Sequence, residues 1–274
     1  MLFPRIMTIL VGLPFLLAAI YMGSLPFFFL VLGIACLSLR EFYYLAEESG
    51  YPCYRWMGLA AGVLMVSSVF LNGLSFGAVT DNQATSALVA LFLAGWVLRA
   101  LSRGPSETLL SEWGVTFFGV FYVAWTLSHL LLLRDLRPSG QSLTFFLFTM
   151  IWAGDILAYL VGSQWGRHRM SPVISPKKTW EGTLGGVLGA MAVAVVFQMT
   201  LLRQQMKWPE ALLVGAGVGL LAMASDLGES LLKRSAGVKD SSPLLPGHGG
   251  VLDRFDSFFL TAPLFYYYWA FFKH

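Results

Sequence analysis

Between Ser225 and Asp256 the chain reads S-D-L-G-E-S-L-L-K-R-S-A-G-V-K-D-S-S-P-L-L-P-G-H-G-G-V-L-D-R-F-D. This stretch sets Asp226, Glu229, Lys233, Arg234, Lys239, Asp240, His248, Asp253, Arg254 and Asp256 between two apolar runs. Asp226, Glu229 and Lys233 fall at i, i+3 and i+7, which puts them on one face of a helix with Ser230 beside them. Asp253 and Asp256 are again three apart and open the last apolar run. Between the two acidic pairs, Gly247-His248-Gly249-Gly250 after Pro246 permits a tight turn in which backbone approaches a ligand closely. Carboxylates are hard oxygen donors of the kind Mg²⁺ takes together with waters and substrate phosphates, while lysine and arginine meet phosphate oxygens directly. Acidic metal ligands beside phosphate-binding cations point to phosphoryl or nucleotidyl transfer.

A second polar segment runs from Asp155 to Gly182. Asp155 sits inside an apolar run, about two helical turns before its end. An ionisable group at the centre of a membrane helix costs about 2.5–3.5 kcal/mol on insertion scales, so it is read as functional. Ser175-Pro176-Lys177-Lys178-Thr179-Trp180-Glu181-Gly182 places two cations and a hydroxyl directly before a helix, where free N–H groups also point outward. That combination suits an anionic phosphate; its plainer reading is a positive anchor at the membrane surface. Gly162 and Gly166, like Gly185 and Gly189, are spaced for close contact between helices.

The elements that must carry these residues are apolar. The chain is 57% hydrophobic and 12% charged, with a mean hydropathy of +0.68, where a soluble domain has about a quarter of its residues charged. This is the composition of a polytopic membrane protein. Runs able to cross about 30 Å of hydrocarbon lie near 6–22, 25–39, 56–75, 85–101, 113–133, 142–163, 183–202, 210–228 and 251–271. The expected fold is therefore all-α, a polytopic integral membrane bundle of about nine transmembrane helices, because backbone polar groups in lipid must be satisfied within each segment. The first run, after Arg5, is read as a retained span rather than a cleaved signal peptide. Residues 1–140 are expected to form N-terminal transmembrane helices, and 141–274 a C-terminal catalytic region with two motif loops.

With nine spans, the face holding the N-terminus carries thirteen Lys and Arg against five on the other, which places that face and both motif loops in the cytoplasm. Eight of the thirteen belong to the motif loops, so the orientation rests on those loops. The net charge of +3 is scattered, with no basic stripe and interleaved aromatics, which excludes nucleic acid as a partner. Cys36 and Cys53 have no metal-type spacing and are read as packing residues.

At Ser230, Lys233, Arg234, Lys239, Asp240, Pro246, His248, Gly249, Gly250, Asp253, Arg254 and Asp256 the sequence resembles the bacterial phosphatidate cytidylyltransferase (CDP-diacylglycerol synthase) family, and the S-P-K-K-T-x-E-G run is a second shared feature. The likeness is strong over about 150–260 and general before that. The resemblance implies a nucleotidyltransferase of the bacterial inner membrane that converts CTP and phosphatidic acid to CDP-diacylglycerol and pyrophosphate, with Mg²⁺ as cofactor and K⁺ alongside it as an option. It carries the metal-binding role to Asp226 and Asp253, with Asp256 and Lys233 as further catalytic residues. Arg234, Lys239, Asp240, His248, Arg254, Ser175, Lys177, Lys178, Thr179, Glu181 and Asp155 are the expected substrate contacts. The implied partners are CTP, phosphatidic acid and the lipid bilayer, with a homodimer left open. The chemistry expected is in-line attack by the phosphatidate oxygen on the α-phosphorus of CTP; that oxygen is already ionised, so no general base is required, and His248 is a turn or phosphate contact. A CTP-dependent polyprenol or lipid kinase is the nearer alternative, and a cation-coupled transporter using Asp155 and Asp226 the more distant one.

The orientation is directly testable. With Cys36 and Cys53 replaced, Asp240→Cys is expected to react with an impermeant maleimide only from the cytoplasmic side; labelling from outside reverses the topology.

Overall fold

The structure, a computed structural model, describes residues 3–74, 83–244 and 249–273. Helices account for nearly all of it: α1 (Phe3–Met22), α2 (Ser24–Glu48), α3 (Arg55–Leu74), α4 (Gln83–Arg103), α5 (Leu109–Gly119), α6 (Thr126–Asp135), α7 (Gly140–Trp165), α8 (Trp180–Met199), α9 (Trp208–Ser235), α10 (Leu252–Phe255) and α11 (Phe258–Phe272). A π-helical segment, Val120–Trp125, joins α5 to α6, so Leu109–Asp135 is one continuous rod. Among the described residues, six helices are long and apolar enough to cross a membrane: α2, α3, the Leu109–Asp135 rod, α7, α8 and α9. The protein is a multi-pass helical membrane protein.

Two features differ from the expected arrangement. The last apolar run is not one rod, because Asp256 and Ser257 separate the four-residue α10 from the fifteen-residue α11. The lysine-rich loop is not irregular either: β1 (Arg169–Ser171) pairs antiparallel with β2 (Ser175–Thr179), with Arg169 opposite Thr179 and Ser171 opposite Ser175. The expectation of helices throughout overlooks this hairpin, whose pleated run is too short to leave an alternating pattern in the sequence.

The chain forms two compact units, one of Met1–Asp135 with Ser235–Phe255 and the other of Leu136–Arg234 with Asp256–His274. In the first, Ile20, Phe27, Leu39, Tyr43, Val66 and Leu127 are wholly buried. The Tyr43 hydroxyl donates to the Thr116 carbonyl at 2.8 Å, and Gly58 leaves the space its ring occupies. Arg134 Nε donates to the Ile20 carbonyl at 2.9 Å, tying the end of α6 to α1. Cys53 and Cys36 form no disulfide, and burial with the nearby Glu47 pushes the Cys53 thiol up to about 12, which leaves it without nucleophilic character.

The second unit is built on a seam of small residues. A Cβ on Gly182 of α8 would lie 2.8 Å from the Ala158 carbonyl and 3.1 Å from Gly162 Cα on α7, and one on Gly186 would lie 3.0 Å from the Gly154 carbonyl. The seam continues to α9, where a Cβ on Gly215 would lie 2.6 Å from Met191 Cα. Helix association in lipid gains little from hydrophobic transfer, so backbone-to-backbone approach of this kind supplies the packing. Of the glycines spaced for helix contact in the sequence, Gly162, Gly185 and Gly189 lie in this seam, while Gly166 follows the end of α7 and packs against Thr179. Phe148 and Phe258, with ring centroids 4.4 Å apart, add α11 to the same core.

Gly182→Val is expected to spread α7 from α8 and destabilise the second unit by about 1–3 kcal/mol. The fall in thermal midpoint of the detergent-solubilised protein measures it; an unchanged midpoint contradicts the seam.

Candidate active site

The acidic residues of α9 are set in place by a hydroxyl. Ser225, 1% exposed, donates to the Asp256 carbonyl and accepts from the Leu260 N–H at 3.2 Å, which clamps the start of α11 against α9. Asp256 is thereby brought to the face of α9 that carries Asp226 and Glu229, and one carboxylate oxygen from each of the three lies within 4.8 Å of the others. Glu229 has no exposed surface at all.

Two lysines answer this charge. Lys233, one turn beyond Glu229, puts Nζ 2.6 Å from Glu229 Oε2, and Lys178 on β2 puts Nζ 2.6 Å from Asp226 Oδ2. Ser230 Oγ approaches Asp226 Oδ1 at 3.4 Å. Three carboxyl groups gathered beside two ammonium groups make a nest of hard oxygens, which fits a small divalent cation. Two of the four lysines expected to meet phosphate, Lys178 and Lys233, are therefore engaged by acids.

The hairpin holds Lys178 in register. Thr179 is buried and caps α8, its hydroxyl accepting from the Gly182 N–H at 3.1 Å. Glu181 folds back over the preceding loop, accepting from the Arg167 N–H at 3.1 Å and pairing with His168 Nδ1 at 2.6 Å. Arg234 Nε donates to the Ile174 carbonyl at 3.1 Å, which joins the end of α9 to the hairpin turn. Lys177 is exposed and Ser175 half-buried; Asp155 is exposed on α7.

The remainder of the motif stretch belongs to the first unit. Asp253 Oδ2 accepts from the Gly250 N–H at 2.8 Å and the Ser241 N–H at 3.0 Å, closing the base of a loop. Gly249 has a φ of +79°, and a Cβ on it would meet Asp253 Oδ2, so both backbone sign and space require glycine there. Lys239, Asp240 and Arg254 are exposed. His248 lies outside the described residues. Sequence reading gave no role to Ser225 or Glu41 and left Glu229 out of the site. Glu41, in the first unit, is 5% exposed and accepts from Ser241, Ser242, Val251 and Leu252. Glu41 lies just past the 25–39 apolar run, beside Arg40, so it carries none of the signal that drew attention to Asp155.

The chain matches the profile of the Cytidylyltransferase family over residues 3–272. It belongs to that family. Curated relatives include the phosphatidate cytidylyltransferase of Synechocystis sp., 32% identical over 96% of this chain and 95% of the relative. That of Bacillus subtilis is 31% identical over 98% of each, and that of Brucella abortus 33% identical over 79% of this chain and 88% of the relative. As a cytidylyltransferase-family chain, the protein has its buried acid and cation face on α9, within the region of strongest motif likeness.

Because Glu229 is wholly buried, removing its cation has a large expected effect. Lys233→Met should destabilise the protein by about 3–5 kcal/mol, and adding Glu229→Met should recover much of that loss. A double-mutant cycle on thermal or denaturant midpoints reads the coupling; additive single effects would contradict a direct pair.

Proposed function

We propose that the protein is a CTP:phosphatidate cytidylyltransferase that transfers CMP from CTP to phosphatidic acid, yielding CDP-diacylglycerol and pyrophosphate for phospholipid synthesis. The near full-length match to phosphatidate cytidylyltransferases carries this reading and favours it over the lipid kinase and the transporter. In it, the C-terminal region 141–274 carries the reaction, and the three membrane-crossing runs beyond the six long helices are α1, α4 and the α10–α11 segment. The enzyme sits in the bacterial inner membrane with its site open to the cytoplasm, where CTP is held. No nucleic acid takes part, and a homodimer is compatible with the scheme.

Both substrates are anions, so the chain must neutralise and align them. Asp226, Glu229 and Asp256 are the proposed holders of Mg²⁺, with Asp253 as a further ligand and K⁺ as a second cation. When bound, Mg²⁺ supplies positive charge to phosphate oxygens and orients them. Lys178 and Lys233 hold the acids in place and are poised to exchange an acid partner for a phosphate oxygen as substrate arrives. Lys177, Lys239, Arg234 and Arg254 receive the triphosphate and the departing pyrophosphate, with Ser175, Thr179, Glu181, Asp240 and His248 shaping the two loops and Asp155 adding negative charge at the site. The phosphatidate oxygen attacks the α-phosphorus, the bond from that phosphorus to the bridging oxygen breaks, and the electron pair leaves on pyrophosphate. No proton has to be removed from the nucleophile.

Purified protein with Mg²⁺ should release pyrophosphate from CTP only when phosphatidate is added; release of CDP instead would identify a kinase. Asp226→Asn and Asp253→Asn should each lower the rate by at least about 10²-fold while the protein still inserts, and normal rates in both would remove them from the site.

A further inference from the structure

Glu41 is a carboxylate with no salt-bridge partner among the described residues, 5% exposed, near the end of α2 and 200 residues from the loop it touches. Each of its oxygens takes one hydroxyl and one backbone N–H. Oε2 accepts from Ser241 Oγ at 2.9 Å and the Leu252 N–H at 2.8 Å; Oε1 accepts from Ser242 Oγ at 2.5 Å and the Val251 N–H at 3.1 Å. The four donors come from the two ends of the 241–252 segment, so a single side chain fastens both. Gly250 lies so close that a Cβ there would meet Ser241 Oγ and Glu41 Oε2. On the same loop base, Asp253 accepts from the Ser241 and Gly250 N–H groups. Ser241 thus gives its hydroxyl to Glu41 and its amide to Asp253, and the direction of the Asp253 carboxylate follows from where Glu41 holds the backbone.

We infer that Glu41 is a positioning residue for the transfer reaction, acting through the 241–252 loop to fix the carboxylate of Asp253. This rests on the role proposed above for Asp253. Four converging donors need two acceptor oxygens. A glutamine of the same size supplies one, and sets its NH₂ against a backbone N–H that can only donate, while the hydroxyl beside it must turn to accept. An aspartate keeps both acceptors but retracts them by one methylene.

The test uses the full chain in detergent. Glu41→Gln should lower kcat on the order of 10–100-fold, with KM for CTP and phosphatidate unchanged and the Mg²⁺ concentration for half-activation raised. Glu41→Asp should recover part of the loss. In the protein without substrate or metal, the amides of Ser241, Val251 and Leu252 should lose hydrogen-exchange protection in Glu41→Gln, while those of the α7–α8 seam keep theirs. Wild-type kcat, half-activation and protection in Glu41→Gln would overturn the inference, as would a loss confined to the yield of folded protein. If Glu41→Gln does not accumulate, Ser241→Ala with Ser242→Ala removes the two hydroxyl donors alone; lowered kcat supports the role and wild-type kcat overturns it. Asp253→Asn measured in parallel separates the two claims. Full activity there defeats the reading of Asp253, while hydrogen exchange still reports whether Glu41 holds the loop.

Discussion

A carboxylate withdrawn from water among helices has to be compensated, because its desolvation costs several kcal/mol even after relaxation. This protein meets the constraint in two ways. On α9, Glu229 is answered by a full cation, Lys233, one turn away, and Asp226 by Lys178. On α2, Glu41 is answered by four neutral donors. The difference matters for what each can do. A lysine's single flexible ammonium can be drawn to another anion, whereas the donors at Ser241, Ser242, Val251 and Leu252 can all be satisfied only while those two backbone segments stay together.

The first arrangement prepares a site and the second a scaffold. Around Asp226, Glu229 and Asp256 the carboxyl oxygens converge beside two ammonium groups, the donor set that the proposed cation would use. In the proposed reaction this site works by electrostatic preorganisation, since a phosphoryl-type transfer asks little of the protein beyond alignment and charge neutralisation. Its precision depends on rigid supports. The glycine seam between α7 and α8 allows backbone contact without side-chain rearrangement, and the Ser225 hydroxyl couples α9 to α11 at the residue next to the cluster. Polar groups near the lipid are therefore used twice, to satisfy one another and to set geometry.

The lysine-rich loop shows how one sequence feature can serve several ends. Two lysines and a threonine before a helix read as a phosphate cradle, yet Thr179 spends its hydroxyl on capping α8 and Glu181 is occupied by the loop's own amides. Of the two lysines Lys177 stands exposed, while Lys178 is directed to Asp226. The hairpin is thus both a support for α8 and the carrier of one cation of the acidic cluster.

By itself the sequence determined the helical membrane class, the two polar segments, the small-residue faces and the acid–cation pairing on one face of α9. All of these are local: hydropathy, glycine spacing and the 3.6-residue period act within a few turns. Tertiary structure decided the rest. It gave Lys178 to Asp226 and joined Asp256 to Glu229 through Ser225. It divided the motif stretch at Ser235 and again at Asp256, and brought Glu41 to a loop two hundred residues away. The physical reason is that the partner of a buried charge is chosen by which backbones can approach most closely, and no neighbouring residue records that choice.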